Sequence, residues 1–157
     1  MQKDWKSILT KEEYLVCRKK GTEPAFSGSY DKFYEDGIYF CKCCDNQLFS
    51  SKDKYNSGSG WPSFTSPINK ENLLNIKDNS HGMNRIEVQC SNCESHLGHV
   101  FNDGPSPTFK RFCINSLSLK FKKSWFYANI SLYVYFPQVI YLYLNRQHQR
   151  HLFYSED

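Results

Sequence analysis

The sequence predicts a mainly β domain, built from short antiparallel strands that follow a helical N-terminus. Aromatic residues make up 17% of the 157 residues, and aromatic side chains are enriched in strands. Turn-forming segments such as SGSYD, NSGSG and KDNSHG punctuate the chain after Gly21, and no long helical periodicity lies between them. The length is typical of one domain, so we expect a single core.

The elements follow in order along the chain. Thr10 and Glu13 fit a capping box, and Gly21 fits the left-handed position that ends a helix, so the N-terminal segment predicts one helix. Apolar and aromatic runs bounded by turn residues then predict short strands. These strand-like runs are IYFCKCC, RIEVQC, HLGHVF, KRFCIN and LSLKF.

The composition changes near Ser124. The last 34 residues hold ten aromatic residues, four charged residues and no glycine, so we expect a domain over residues 5–123 and an unassigned aromatic-rich tail over 124–157. The uncharged span 124–145 has the length of a membrane helix. Its polar residues and five tyrosines favour an appended strand pair or an unordered segment instead.

The net charge and the first residues of the chain limit the binding partners and the cellular location that we expect. The net charge of +4 is too small to indicate nucleic-acid binding, and the basic residues are interspersed with acidic ones rather than forming a stripe. We therefore expect no nucleic-acid partner. The first residues lack the apolar stretch of a signal peptide, which favours a cytoplasmic protein, with an organelle as the alternative.

The seven cysteines predict metal or redox chemistry, because their number is odd and no secretion signal is present. Cys41–Cys44 and Cys90–Cys93 form two CxxC pairs separated by 45 residues. Two such turns supply four thiolates to one tetrahedral ion, so we expect one structural Zn²⁺ per chain. The alternative is that one pair is a redox dithiol. Cys43, inside the first pair, is interpreted as a bystander.

Cys113 lies outside both pairs, in the segment RFCIN. The alternation of a strand places Arg111 and Asn115 on the same face as Cys113. Because a neighbouring cation lowers the pKa of a thiol, this polar stripe predicts a nucleophile. The alternative is a small buried side chain without chemistry.

Two further motifs accompany this cysteine. His96 and His99 follow the second CxxC pair, and four cysteines already complete a tetrahedral shell, so the histidines are free for acid–base chemistry. The alternatives are a metal ligand or surface histidines. Trp61 is flanked by Gly58 and Gly60, and flexible glycines are able to present its ring at a pocket wall. The alternative, and the commoner case, is a core tryptophan.

Taken together, six ordered segments resemble the methionine-R-sulfoxide reductase (MsrB) family over residues 5–123. They are LTKEEYLV, GTEPAFSGSY, GIYFCKCCDNQLFSS, KYNSGSGWPSF, SHGMNRIEVQCSNCESHLGHVFNDGP and KRFCINSLSLKF. The resemblance implies two antiparallel sheets, helices near the N-terminus, and structural zinc on the two CxxC pairs. It also implies reduction of the R epimer of methionine sulfoxide, in proteins or free, with thioredoxin or another thiol as reductant.

The resemblance also assigns roles to single residues. It implies that Cys113 is the nucleophile and becomes a sulfenic acid, with His96, His99 and Asn115 as catalytic partners. It implies a substrate-binding set as well: Trp61, Arg111 and Phe112. The alternatives are a zinc-binding interaction module and an inactive relative that binds oxidised methionine.

The chain departs from the family pattern in two places within the domain. Ser59 stands where many members carry a resolving cysteine, and Phe109 stands where glycine is usual. If the backbone at Phe109 needs a positive φ, that residue is strained. Cys17 and Cys43 are poorly placed to replace the resolving thiol, so we expect an external thiol to reduce the sulfenic acid of Cys113.

Overall fold

The structure, a computed structural model, describes residues 3–124. Apart from Ser124, the tail that the sequence sets apart at 124–157 lies outside the described residues, and so does the expectation of a strand pair there. Within the described residues, no helix is long and apolar enough to cross a membrane.

The N-terminal segment forms two helices, α1 (Trp5–Ile8) and α2 (Lys11–Lys19). The predicted helix, with its capping box at Thr10, is α2, and the prediction of one helix is wrong only because α1 precedes it. Leu9 and Thr10 adopt extended conformations, which ends the first helix and allows the Thr10 side chain to cap the second. The predicted capping box is confirmed, since Thr10 and Glu13 exchange both hydrogen bonds. The left-handed residue at the helix end is Lys20 (φ 58°) rather than Gly21.

The strands form two sheets, which confirms the predicted fold class. One sheet has the order β2-β1-β9 and the other the order β3-β4-β8-β7-β6-β5. Their bounds within the described residues are β1 (Gly37–Cys41), β2 (Gln47–Ser50), β3 (Lys54–Tyr55), β4 (Ser63–Phe64), β5 (Leu73–Asp78), β6 (Arg85–Cys90), β7 (His96–Phe101), β8 (Arg111–Ile114) and β9 (Leu119–Lys123).

The five strand-like runs of the sequence correspond to β1, β6, β7, β8 and β9, and β2 to β5 are strands that the sequence did not reveal. Strand β5 is exposed at four consecutive positions from Leu74 to Lys77, so it lacks an alternating pattern. Strands β3 and β4 have two residues each, too few to show a period.

The core lies between the two sheets. Phe49 of β2 stacks on Phe64 of β4 with ring centroids 4.4 Å apart, and Tyr39 of β1 meets the same ring edge-on at 5.1 Å. Val88 and Ile114 are fully buried in the same cluster. The apolar face of the six-stranded sheet is therefore used for packing, and alternate residues of its strands point to the opposite face.

Candidate active site and metal centre

One row of side chains crosses the six-stranded sheet on the face opposite the core. Ser63 of β4 is the register partner of Cys113 of β8. Cys113 also pairs with His99 of β7, on its other side. His99 pairs in turn with Glu87 of β6. Directly opposed residues of an antiparallel pair share a face and lie close together. The sheet register thus places the predicted nucleophile beside a histidine.

Arg111 shares this face because it lies two residues before Cys113 on β8. Its guanidinium donates two hydrogen bonds to Asp103, at 2.9 Å and 2.8 Å, and lies over the ring of Phe101 at 4.5 Å. Asp103 raises the pKa of Arg111, so the guanidinium stays charged. The side chain is therefore a fixed cation beside the thiol.

The Cys113 thiol is held in a partly buried position. Burial raises its pKa, while a hydrogen bond from Ser59 and the charge of Arg111 act in the opposite direction. The Ser59 Oγ lies 3.8 Å from the Cys113 Sγ. Since burial prevails, the surroundings raise the pKa of the Cys113 thiol above its ordinary value and favour the neutral form.

The two histidines share the site face because of a β-bulge. Residues three apart on a regular strand point to opposite faces, but the register shifts between Val88 and Gln89 and leaves Leu97 as the extra residue. The rings of His96 and His99 then lie 5.6 Å apart, centroid to centroid. The bulge thus turns a sequence spacing of three into a pair on one face.

Asn115 braces this bulge from the interior rather than facing the site. Its backbone N–H and its side-chain amide both donate to the carbonyl of Leu97, at 2.8 Å and 2.9 Å. Its side-chain oxygen accepts from the backbone N–H of Glu23 at 3.0 Å. Asn115 follows the end of β8, so the strand alternation that predicted a shared face with Cys113 does not extend to it.

Each histidine is oriented by a carboxylate. His96 Nδ1 lies 2.7 Å from Glu87 Oε1, and His99 Nε2 lies 2.8 Å from Asp78 Oδ2. Hydrogen bonds from Ser80, then from His99, lower the pKa of Asp78, so this carboxylate is charged. Both histidines therefore have one ring nitrogen fixed by an acid, which sets the ring orientation.

His96 is neutral and keeps one nitrogen available. Burial lowers its pKa, and although burial also opposes ionisation of Glu87, hydrogen bonds from Lys20, Gln89 and His96 lower the pKa of that carboxyl. The Nδ1–H of His96 therefore donates to Glu87. Its Nε2 is buried and has no hydrogen-bond partner within residues 3–124. A buried lone pair of this kind is available to a substrate or to its proton.

Trp61 is held half-buried by the N-terminal segment. Its indole N–H donates to the carbonyl of Glu23 at 3.0 Å. Gly60 has φ 89°, and a Cβ there would meet the backbone nitrogen of Phe26 at 2.8 Å, so the loop needs glycine at this point. Trp61 is two residues from Ser59, whose hydroxyl contacts Cys113, and it is not part of the buried core.

Phe112 lies on the other face of β8, away from the predicted substrate site. Its side chain is buried in the core cluster, with its ring 5.8 Å from that of Phe49. Adjacent residues of a strand point to opposite faces, so Phe112 and Cys113 cannot both face the site. The structure places Phe112 beneath the strand that carries the thiol.

Two clefts are lined by residues that neighbour Cys113. One, of about 480 Å³, is lined by residues that include Ser59 and Arg111. The other, of about 540 Å³, is lined by residues that include His96 and His99. Cys113 neighbours the lining of both clefts, because it contacts Ser59 of the first and is the register partner of His99 of the second.

The sequence did not reveal the acidic residues of the site. Asp78 and Glu87 lie on β5 and β6, and only the sheet register brings them to the histidines. Glu23 is buried and accepts backbone hydrogen bonds from Ser116 at 2.6 Å and Leu117 at 3.0 Å. The available signal for Asp78 was its position at the end of the segment LLNIKD, two residues beyond Ile76.

The four cysteines of the CxxC pairs form one cluster. The sulfurs of Cys41 and Cys93 lie 3.6 Å apart, as do those of Cys44 and Cys90, and all four lie within 4.8 Å of one another. Such a set is able to hold one metal ion. Cys41 ends β1 and Cys90 ends β6, so an ion at this site links the two sheets.

The two CxxC turns have the same local structure. Asp45 donates its N–H to the carbonyl of Cys41 at 3.0 Å, and Glu94 donates to that of Cys90 at 2.8 Å. Asp45 and Glu94, each directly after the second cysteine of its pair, both have φ 58°. The sulfur cluster thus has approximate twofold symmetry that follows from the backbone of two identical turns.

The remaining cysteines are buried behind the cluster. The Cys43 Sγ lies 3.5 Å from the Ser95 Oγ, and the Cys17 Sγ lies 3.7 Å from the carbonyl of Leu117. The neighbouring Cys43 thiol and burial raise the pKa of Cys17. Within residues 3–124, which include all seven cysteines, no other sulfur lies within hydrogen-bonding distance of the Cys113 sulfur.

Comparison with known proteins gives one family. The SelR domain model matches residues 9–123. Peptide methionine sulfoxide reductase MsrB of Pseudomonas syringae pv. syringae (strain B728a) is 56% identical over 116 residues, which are 74% of this chain and 88% of that protein. The MsrB of Leptospira interrogans serogroup Icterohaemorrhagiae serovar Lai (strain 56601) is 57% identical over 120 residues, 76% of this chain and 92% of that protein.

Proposed function

This chain belongs to the SelR domain family together with peptide methionine sulfoxide reductases, and we propose that Cys113 is the nucleophile with which it reduces the R epimer of methionine sulfoxide. The family resemblance stated from the sequence is thereby confirmed. The observation that carries the assignment of Cys113 is its register pairing with His99, beside the Nε2 of His96, which has no hydrogen-bond partner in the described part of the chain.

The reaction transfers one oxygen atom between two sulfurs. The Cys113 sulfur attacks the sulfoxide sulfur and forms a transient sulfur–sulfur bond. The oxygen then passes from the substrate sulfur to the Cys113 sulfur, so that one sulfur–oxygen bond breaks and another forms, and the sulfur–sulfur bond breaks to leave Cys113 as a sulfenic acid. The substrate leaves as the thioether, reduced by two electrons, and the cysteine is oxidised by two. The thiol proton ends on the oxygen of the sulfenic acid.

Proton transfer falls to the histidine pair in this proposal. The neutral His96 has a free lone pair at Nε2, so it takes up a proton in the site and returns it to the departing oxygen. His99, fixed by Asp78, lies closer to the thiol because it is the register partner of Cys113. Asn115 acts as a positioning residue, since it braces the bulge that aligns the two rings.

Substrate binding is assigned to Trp61 and Arg111. The Trp61 ring, half-buried and anchored through its indole N–H, packs against the methyl group on the sulfoxide sulfur and favours one epimer. Arg111 presents a fixed cation beside the reacting thiol. Phe112, buried behind Cys113, supports the strand rather than the substrate.

Recycling of Cys113 requires an external thiol in this proposal. A first thiol attacks the sulfenic acid to give a mixed disulfide and water, and a second thiol releases Cys113 as the reductant becomes a disulfide. Ser59 has a hydroxyl at 3.8 Å from Cys113, so this neighbour offers no second sulfur. A dithiol protein of the thioredoxin class supplies both equivalents.

The metal proposal rests on the sulfur geometry. A tetrahedron with Zn–S distances near 2.3 Å has edges of roughly 3.8 Å, and the measured sulfur pairs at 3.6 Å fit it. We assign Cys41, Cys44, Cys90 and Cys93 as ligands of one structural Zn²⁺ that clamps the sheets together. The seven cysteines, all within residues 3–124, form no disulfide, and thiolate ligation of a metal favours a reducing compartment such as the cytoplasm.

The test is epimer-specific turnover. The full chain is supplied with thioredoxin, thioredoxin reductase and NADPH, and with the R or the S epimer of a blocked methionine sulfoxide. We expect NADPH consumption with R alone, its loss in Cys113→Ser, and its retention in the matched variant Cys43→Ser. Turnover of neither epimer by the unaltered chain would support a binding protein instead. Turnover by Cys113→Ser would place the nucleophile elsewhere.

A further inference from the structure

Three serine hydroxyl groups form a chain that ends on the Cys113 sulfur. The Oγ atoms of Ser63 and Ser57 lie 2.7 Å apart, those of Ser57 and Ser59 lie 2.8 Å apart, and Ser59 contacts Cys113. We propose that this hydroxyl chain holds the Ser59 O–H toward the sulfur and thereby stabilises the Cys113 thiolate, with Ser57 as the positioning residue at its centre. The proposal deepens the proposed function and rests on Cys113 as its nucleophile.

The number of hydroxyl protons determines the direction of the hydrogen bonds along the three serines. Each serine hydroxyl has one proton to donate. When Cys113 is a thiolate, Ser63 donates to Ser57, Ser57 donates to Ser59, and Ser59 donates to the sulfur. The Oγ of Ser57 also accepts a hydrogen bond from the backbone N–H of Ser59 at 3.3 Å, which helps to fix the position of this oxygen. In this arrangement, every proton of the chain is directed toward the negative charge.

A competing acceptor explains why Ser57 is needed. The carbonyl oxygen of Trp61 lies 3.5 Å from the Ser59 Oγ and 3.2 Å from the Ser63 Oγ. Without Ser57, the Ser59 hydroxyl loses the group that donates to its oxygen and is free to turn to this carbonyl. The thiolate then loses its hydroxyl donor while it stays partly buried, which disfavours the charged form.

The chain orients a dipole and does not conduct a proton to solvent. Its inner end, Ser63, is completely buried and is held by its register pairing with Cys113 across β4 and β8. Because Ser63 has no exposed surface, a proton passed inward does not reach bulk solvent. Consecutive hydrogen bonds polarise one another, so the outer hydroxyl is a stronger donor to the sulfur than an isolated serine.

The test measures the ionisation of Cys113 without any sulfoxide. The rate of alkylation of Cys113 by iodoacetamide is followed from pH 6 to pH 10 by peptide mass on the zinc-loaded full chain. In Ser57→Ala we expect the rate near pH 7.5 to fall about three- to tenfold and the titration to move to higher pH. Ser57→Thr, which keeps the hydroxyl, should retain the original profile. The control Ser66→Ala, which removes a hydroxyl bonded to Asp53 instead, should retain it also.

The outcomes separate this proposal from the proposed function. An unchanged alkylation profile in folded Ser57→Ala, or an equal loss in Ser66→Ala, overturns the hydroxyl chain. If Ser57→Ala does not fold, Ser59→Ala must likewise slow the alkylation of Cys113 and move its titration to higher pH. An unchanged alkylation profile in Ser59→Ala also overturns the hydroxyl chain. A shifted profile in Ser57→Ala, together with no sulfoxide reduction by the unaltered chain, supports the chain of hydroxyls and refutes the proposed function.

Discussion

Cys113 of β8 and His99 of β7 face each other directly across the sheet, and Gly98, the neighbour of His99, lies against the carbonyl of Cys113. A Cβ at position 98 would meet that carbonyl oxygen and the Cα of Ile114, both backbone atoms that cannot rotate away. The close approach of the two strands therefore depends on glycine at this position.

The first prediction follows for Gly98→Ala. Strands β7 and β8 must separate, so the His99–Cys113 pair shifts and the catalytic rate falls at least about tenfold. The free energy of unfolding falls by about 1–3 kcal/mol because of overpacking. Gly82→Ala is the control, since a Cβ there meets open space and adds only the strain of a positive φ. Equal activity of the two variants in a kcat/KM assay would contradict the argument.

The second prediction concerns the metal centre. We expect about one zinc ion per chain, lost in Cys90→Ser together with a fall in Tm of at least about 10 °C, because metal-binding free energy is folding free energy. Cys43→Ser should keep its zinc, since the sulfur of Cys43 is not part of the four-sulfur cluster. Metal content and calorimetry give the result. Full zinc content and an unchanged Tm in Cys90→Ser would remove the assignment.

The third prediction concerns Phe109, where the sequence raised the question of a positive φ. The structure gives φ 54°, and the side chain is 61% exposed, so it gains little from burial. Phe109→Gly should raise the free energy of unfolding by about 0.5–1 kcal/mol, because glycine adopts this conformation without steric cost. Phe109→Ala keeps a Cβ and serves as the control. Urea denaturation showing no gain of glycine over alanine would exclude strain at this residue.

The fourth prediction is loss of stability in acid. The pKa of His96 is lowered by burial, so as pH falls below about 6.5 the unfolded chain takes up a proton that the folded chain does not. The lowered pKa values of Glu87 and Asp78 act with the same sign at lower pH. The free energy of unfolding should therefore fall between about pH 7 and pH 5. His96→Gln should flatten this slope near pH 6, and an unchanged slope would show that His96 titrates normally.

The sequence predicted the features that depend on local spacing. Each CxxC turn is determined by a few consecutive residues, so the four cysteines could be chosen without the fold. The capping box of Thr10 and Glu13 is local in the same way. The helix α1 was missed, because its four residues are too few to show a helical period.

The features that depend on sheet register were not predictable. Asp78 and Glu87 reach the histidines only through the pairing of β5, β6 and β7. The bulge at Leu97 has no signature in the sequence. Asn115 was therefore predicted to lie beside the thiol, whereas its side chain donates a hydrogen bond to the carbonyl of Leu97. Phe112 differs from these residues, because strand alternation alone places its side chain on the other face of β8 from that of Cys113. The structure agrees with this alternation rather than with a substrate-binding role.

The most direct test of the account is one turnover without a reductant. The zinc-loaded chain is mixed with one equivalent of the R epimer of a blocked methionine sulfoxide, trapped with dimedone, and measured by intact and peptide mass. We expect one thioether per chain and one dimedone adduct, at Cys113, with the other thiols intact. An intramolecular bridge from Cys113 to Cys17 or Cys43, or an adduct at another cysteine, would contradict it.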